Sequence, residues 1–265
     1  FFHGKKTIMG IRDNNKYFIN NHSDLIEKIL NFARNISLTK INSLFFETKT
    51  LMRNFKKKIN FQDLNCLPIY PIHIVQKKIK IHKLKSKVLR IGVLGAINEK
   101  NRKNYNILTN VFNLLNENMH NEIELVLLGG VKKAKKSTVI QNLKKKIKSR
   151  IIYQENYIKE INYKKLVSSC HVLLSINKKE YGNSHKGTGA FFDAISSKKP
   201  LMINFRSDRQ LEFKNFCYYY SNSTQLLKII KIFLKYKNKP NQIKSSIFEK
   251  YNNDQVKYEL TQLLC

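Results

Sequence analysis

VLRIGVLGAINEKNRKNYN, residues 88–106, decides the fold. Residues 88–94 are a short run rich in apolar and β-branched side chains, closed by Gly95. Such a run between turn signals reads as a buried strand. The loop that follows carries Lys100, Arg102 and Lys103. Residues 104–118 then place Ile107, Leu108, Val111, Phe112, Leu114 and Leu115 along one helical stripe. A strand, a glycine-closed loop and an amphipathic helix make the first half of a β-α-β unit.

The alternation continues downstream. Strands are predicted at 123–128 (IELVLL, ending in Gly129-Gly130), 151–153, 171–176 (HVLLSI), 201–204 after Pro200, and 216–220. Helices are predicted at 135–148, 161–169, 189–197 and 224–236. Right-handed crossovers between such strands give a parallel sheet covered on both faces. Residues 88–236 are therefore expected to form a Rossmann-like domain. Upstream, residues 76–87 (QKKIKIHKLKSK) are basic, lack a helical stripe and follow Pro68 and Pro71, the pattern of a linker. Residues 1–75 show a shorter βα pattern: a helix over 24–36, strand 43–47 (SLFFE), helix 48–58 and strand 65–69. They are expected to be the remaining part of a second α/β domain. Residues 237–265 read as a polar tail with a helical end. The opening FFHGKK has no initiator Met and is expected to reflect an N-terminal truncation.

Charge suggests a different function at first sight. Fifty Lys+Arg against 18 Asp+Glu leave a net charge of +32, which invites a polyanionic partner. The chain is also rich in Asn, Ile, Phe and Tyr, with no Trp and only 4 Pro and 9 Gly, the skew that AT-rich codons produce. Lysines are spread over nearly the whole length. Even the densest stretch, 132–150, keeps an apolar stripe of Val139, Ile140, Leu143 and Ile147. General composition therefore accounts for most of the charge. A nucleic-acid-binding α/β protein is the alternative, and it leaves the glycines discussed below unexplained. A basic face toward an anionic membrane stays compatible with the sequence. The apolar share of 42% excludes a disordered basic tail, and no apolar run approaches the roughly 18 residues of a membrane span. Cys66, Cys170, Cys217 and Cys265 are far apart and form no CxxC pair. They read as reduced thiols of a cytoplasmic protein without a metal site.

In an open parallel sheet, ligands bind beyond the carboxyl ends of the strands. Four loops fall there. The first holds Gly95 and the cations Lys100, Arg102 and Lys103 before a helix, a setting that suits a phosphate or a solvated basic loop. The second is Gly129-Gly130, which admits close backbone approach or a tight turn. The third ends at Tyr157, where a base could stack on an otherwise ordinary surface ring. The fourth, from Glu180 to Asp193, concentrates Gly182, Gly187 and Gly189 around Ser184, His185, Lys186 and Thr188. It leads into a helix starting near Thr188, whose unpaired N–H groups favour an anion. Asp193 lies farther along that helix, in reach of a ribose or sugar hydroxyl. The spacing is not that of a P-loop.

The segment YGNSHKGTGAFFDAISSKKPLMI, residues 181–203, resembles the donor-binding segment of GT-B glycosyltransferases of the family 4 type. Residues 88–106 resemble the strand and loop that open the donor domain there. LVLLGG resembles its second strand and loop, and YKKLVSSCHVLLS, 163–175, the helix and strand before the donor motif. SLFFETKTLMRNF, 43–55, with Leu67-Pro68 after it, resembles the end of the N-terminal domain. The resemblance implies transfer of a sugar from a nucleotide-sugar donor to a glycan or lipid-linked acceptor. It further implies retention at the anomeric carbon and neither metal nor cofactor. It makes Lys103 the phosphate-binding lysine, with Arg102 or Lys100 as its partner, and His3 the strand-end histidine facing the reaction centre; Lys186, in the glycine-rich loop, is the further cation expected on the leaving diphosphate. Gly95, Arg102, Gly129, Gly130, Tyr157, Glu180, Ser184, His185, Gly187, Thr188, Gly189 and Asp193 become the donor-binding set. One departure stands out. The family's two glutamates, eight positions apart, fall here on His185 and Asp193, with Glu180 five residues earlier. A non-catalytic nucleotide-sugar-binding domain is the remaining alternative.

Overall fold

The computed structural model describes residues 8–11, 41–57, 65–68, 88–97, 103–131, 137–178, 188–208 and 211–237. The expected helix 24–36, the linker 76–87 and most of the tail lie outside the described residues, as do His3, Lys100, Arg102, Glu180, Ser184, His185, Lys186 and Gly187.

Two parallel sheets form. The first has strands β1 (Ile8–Ile11), β2 (Ser43–Phe46) and β3 (Asn65–Pro68), in that order. Helix α1 (Lys49–Lys56) follows β2 and packs Leu51 and Phe55 on Leu44 and Phe46. The Phe46 and Phe55 rings meet at 5.1 Å between centroids. Strand β1 has no clear signal in the sequence. Its four residues, IMGI, carry a mid-strand glycine and show neither alternation nor length; Gly10 is small because the Phe45 ring lies over it, where a Cβ would stand.

The second sheet contains β4 (Leu89–Val93), β5 (Ile123–Leu127), β6 (Arg150–Ile152), β7 (Val172–Ser175), β8 (Leu201–Asn204) and β9 (Cys217–Tyr220). All are parallel, in the order β6-β5-β4-β7-β8-β9. The chain steps outward from β4 to β6 and returns to build the other half from β7. Its direction of winding thus reverses between β4 and β7, and a crevice opens at such a switch point beyond the strand ends.

Helices α2 (Tyr105–Asn113), α4 (Thr138–Lys146) and α7 (Ser223–Lys235) cover one face through Val111, Phe112, Ile140, Leu143, Leu226 and Ile230, packed on Leu89, Ile91, Leu125 and Leu174. On the other face, α5 (Glu160–Ser168) and α6 (Gly189–Ser197) cover Val126, Leu173, Leu201 and Ile203. Gly92 leaves room there for Leu128, Cys170 and Leu173, each within 2.9 Å of where its Cβ would be. Burial of this kind contributes about 25 cal/mol for each Å² of apolar surface, and the two layers together fix the strand ends in space.

One expectation needs correction. Residues 104–118 form not a single helix but α2 and a short α3 (Glu117–Asn121). Asn116 breaks the run because its Oδ1 accepts the Met119 N–H at 2.9 Å, an N-cap that competes with helix continuation. Leu114, expected on the apolar stripe, is consequently exposed. Among the described residues no helix is long and apolar enough to cross a membrane.

Candidate functional site

A cleft of about 180 Å³ opens beyond the carboxyl ends of β4 and β7, at the switch point. Strand β4 runs into Leu94, Gly95 and Ala96 on one wall, and β7 contributes Ser175 and, just past its end, Asn177. The first turns of α6 supply Thr188, Gly189, Ala190 and Asp193 on the other wall. Lys103 reaches in from the loop before α2.

Lys103 is held from two sides. Its Nζ donates to the Leu94 carbonyl at 3.1 Å and to Asn177 Oδ1 at 2.9 Å. Lys103 and Asn177 also form an isolated antiparallel bridge, and the Asn104 N–H donates to the Ile176 carbonyl at 2.7 Å. Gly95 has a φ of +92°, which L side chains rarely adopt. Its missing side chain also makes room for Lys103, whose Nζ would stand 2.6 Å from a Cβ there. Gly95 thus shapes the site by letting the ammonium group lie across the strand end.

The α6 wall offers donors to an anion. Thr188 is the N-cap, its Oγ1 accepting the Ala190 N–H at 3.4 Å. Among the described residues, a Cβ added at Gly189 would meet nothing within 4 Å. Gly189 is the first residue of α6, and no neighbouring atom among the described residues requires a glycine there. The Ser175 Oγ, in a residue only 1% exposed, has no hydrogen-bond partner among the described residues. Burying a hydroxyl unpaired costs about 1–3 kcal/mol, so a ligand atom in the cleft would relieve it.

The other glycines answer to the protein. A Cβ at Gly129 would strike the Gly95 carbonyl oxygen, and one at Gly130 the Asn156 carbonyl oxygen. They allow the loops after β4, β5 and β6 to touch backbone to backbone. Neither lines the cleft, nor does Tyr157, whose ring is 87% exposed beyond it.

Asp193 is half-buried and hydrogen-bonded by Tyr163 of α5. Burial first, and the adjacent carboxylate second, push the Tyr163 hydroxyl well above its ordinary range, so the phenol stays protonated and donates. Sequence reasoning missed Tyr163, Ser175 and Asn177. The signal for the last two was present in HVLLSIN: two polar residues at period two at the end of an apolar strand. No sequence pattern ties Tyr163 to Asp193, thirty residues apart on neighbouring helices. Among the described residues, no three His, Cys, Asp or Glu side chains come together as metal ligands.

No protein-family model matches the chain, and no curated protein matches it in sequence. Solved structures do match in shape. TarM aligns over 98% of this chain and 50% of its own at 15% identity, with a TM-score of 0.64. A point mutant of S. aureus TarM was solved with fondaparinux, α-GlcNAc-glycerol and UDP, and aligns over the same shares at the same identity, with a TM-score of 0.65. WaaG, a glycosyltransferase of lipopolysaccharide biosynthesis, aligns over 98% of this chain and 75% of its own at 13% identity, with a TM-score of 0.59. The chain spans about half the length of TarM. Its two parallel α/β sheets, with a cleft at the switch point of the larger one, are the GT-B fold of these glycosyltransferases.

Proposed function

We propose that the chain is part of a hexosyl-type glycosyltransferase and that the cleft holds its nucleotide-sugar donor. One observation carries the reading: the switch-point cleft brings together a tethered ammonium group, the α6 N-terminus and a buried hydroxyl without a partner among the described residues. That set suits a diphosphate. Lys103 and the α6 N-terminus would stabilise the negative charge that develops as the diphosphate leaves, the interaction that lowers the barrier. Lys186, in the segment leading to α6, is assigned a second cation there. Asp193, oriented by Tyr163, is assigned to a donor hydroxyl. TarM was seen with UDP, and a trehalose-phosphate synthase of similar shape is UDP-forming, so a UDP-sugar is the first donor to try.

Cationic side chains take the part a divalent metal would otherwise play, and no cofactor enters the scheme. Retention at the anomeric carbon, a glycan or lipid-linked acceptor approaching from the side of His3, and a place in polysaccharide or glycan synthesis complete the proposal. The scattered lysines suit a cytoplasmic protein lying against an anionic membrane better than a nucleic-acid binder. The test is a thermal-shift panel of nucleotide sugars. A ligand at 100 times its Kd adds about 2.7 kcal/mol of apparent stability. The expected result is a rise with one nucleoside diphosphate sugar that disappears in Lys103→Ala; no rise with any of them would sink the reading. Binding without turnover in a donor and acceptor screen would move the assignment to a non-catalytic binding domain.

A further inference from the structure

The N-terminus of α1 is completed by a residue from the other sheet. The Thr48 Oγ1 accepts the Leu51 N–H at 3.1 Å, an ordinary cap within the first unit. The two N–H groups before it, those of Lys49 and Thr50, instead donate to the Glu212 carboxylate at 2.9 and 3.0 Å. The Thr50 hydroxyl adds a third bond to Glu212 at 2.9 Å. Glu212 stands 163 residues beyond Lys49, in the strap joining β8 to β9. A carboxylate at a helix N-terminus meets both unpaired donors and the positive end of the dipole.

The described part of the strap is held by hydrogen bonds of its own. Buried Asp208 accepts the Glu212 N–H on Oδ1 and the Phe213 N–H on Oδ2, both at 2.9 Å, and the Tyr219 hydroxyl donates to it as well. Leu211 takes a φ of 52°, which turns the chain at this point. Phe213, next to Glu212, stacks on Phe191 of α6, with ring centroids 4.2 Å apart. Glu212 therefore joins the first helix of one unit to the helix whose N-terminus forms a wall of the cleft.

We propose that Glu212 is a positioning residue: its carboxylate latches the first unit onto the strap and α6, setting where the acceptor side sits relative to the cleft. Separating the units breaks three hydrogen bonds to one carboxylate at once, so the docked arrangement is favoured without a ligand. The latch is a property of the two units; only its effect on transfer rests on the reading above.

The experiment uses the full chain, with small-angle X-ray scattering and hydrogen exchange on wild type and Glu212→Ala. The expected result is a larger radius of gyration and exchange at the Lys49 and Thr50 amides faster by about tenfold or more, with β4 and β5 still protected. An unchanged radius of gyration overturns the proposal, whatever happens at α1, because Glu212 would then be a local cap alone. If the β4 and β5 amides lose protection, Lys49→Pro replaces that variant. Proline is well accepted at the first helical position and removes one of the three hydrogen bonds to Glu212; combined with Thr50→Val, which removes a second, it must give an expansion in the same direction, and a compact double variant overturns the latch. Neither readout involves a nucleotide, so failure of donor binding and failure of the latch are seen separately.

Discussion

The two ends of the six-stranded sheet carry similar groups in different surroundings. At the amino end, Glu124 accepts the Arg90 Nε at 2.7 Å and Arg150 Nη1 at 3.0 Å, and Lys199 donates to the Ser168 carbonyl at 3.2 Å. His171 Nδ1 accepts the Arg90 N–H at 3.0 Å. Cations there are matched by protein acceptors. At the carboxyl end, Lys103 spans two acceptors and lines the cleft with Gly95, Gly189 and the Ser175 hydroxyl, which has no partner among the described residues. A net charge of +32 does not distinguish these edges. What distinguishes the carboxyl end is the cleft beside the charge, since the amino end also holds a buried atom without a partner among the described residues, His171 Nε2.

The largest expected break in that contrast is Lys103→Ala. Removing a single preorganised charge-stabilising donor costs on the order of 10²–10³ in turnover, so transfer and nucleotide binding should fall by that order. Arg150→Ala, at the other edge, should leave both unchanged. Calorimetric titration with UDP compares the two directly.

Stability should break in the reverse direction. Glu124→Ala leaves two arginines without their shared acceptor, at a cost of about 1.5–3 kcal/mol. Urea unfolding should show that loss while nucleotide binding persists. A loss of binding as large as that of Lys103→Ala would erase the distinction between the edges.

Glycines sharpen the comparison further. Gly129→Ala drives a Cβ into the Gly95 carbonyl and should destabilise the domain by about 1–3 kcal/mol, the usual cost of overpacking. Gly189→Ala meets no atom among the described residues and should leave the melting temperature unchanged, while weakening nucleotide binding. Both are read by thermal melts with and without UDP.

Sequence legibility follows the same physics. Helix α6 and strand β8 are legible to the residue, because Thr188 caps the helix and Pro200 precedes the strand. The second sheet is legible because each strand is an apolar run closed by a turn signal. The Asn116 break is not, since an Asn on an otherwise helical stripe becomes a cap only when its side chain turns back on Met119. In the candidate site, Lys103, Gly95, Thr188, Gly189 and Asp193 stand out from their loops in the sequence and stand together at the cleft. Gly129 and Gly130 stand out for the same reason but serve contacts between loops. Tyr163 and Glu212 act through partners distant in sequence, which no local pattern reveals.

The smallest effect is one of pH. Burial, followed by the charges of Lys199, Arg90 and Lys237, pushes the His171 imidazole down to about 4. The unfolded chain therefore takes up a proton that the folded chain refuses between pH about 6.5 and about 4. The stability this neutral histidine contributes is present above pH 6.5 and is lost as the pH falls through that window. His171→Gln should flatten that part of the stability profile, measured by urea unfolding at several pH values, without changing nucleotide binding at neutral pH.

The most direct measurement of the central claim is a calorimetric titration of UDP into the full chain, its Lys103→Ala variant and its Arg150→Ala variant at fixed ionic strength. The account predicts a single saturable site in the wild type and in Arg150→Ala, lost in Lys103→Ala. Equal binding by all three, or binding in Lys103→Ala that is lost in Arg150→Ala, would contradict it.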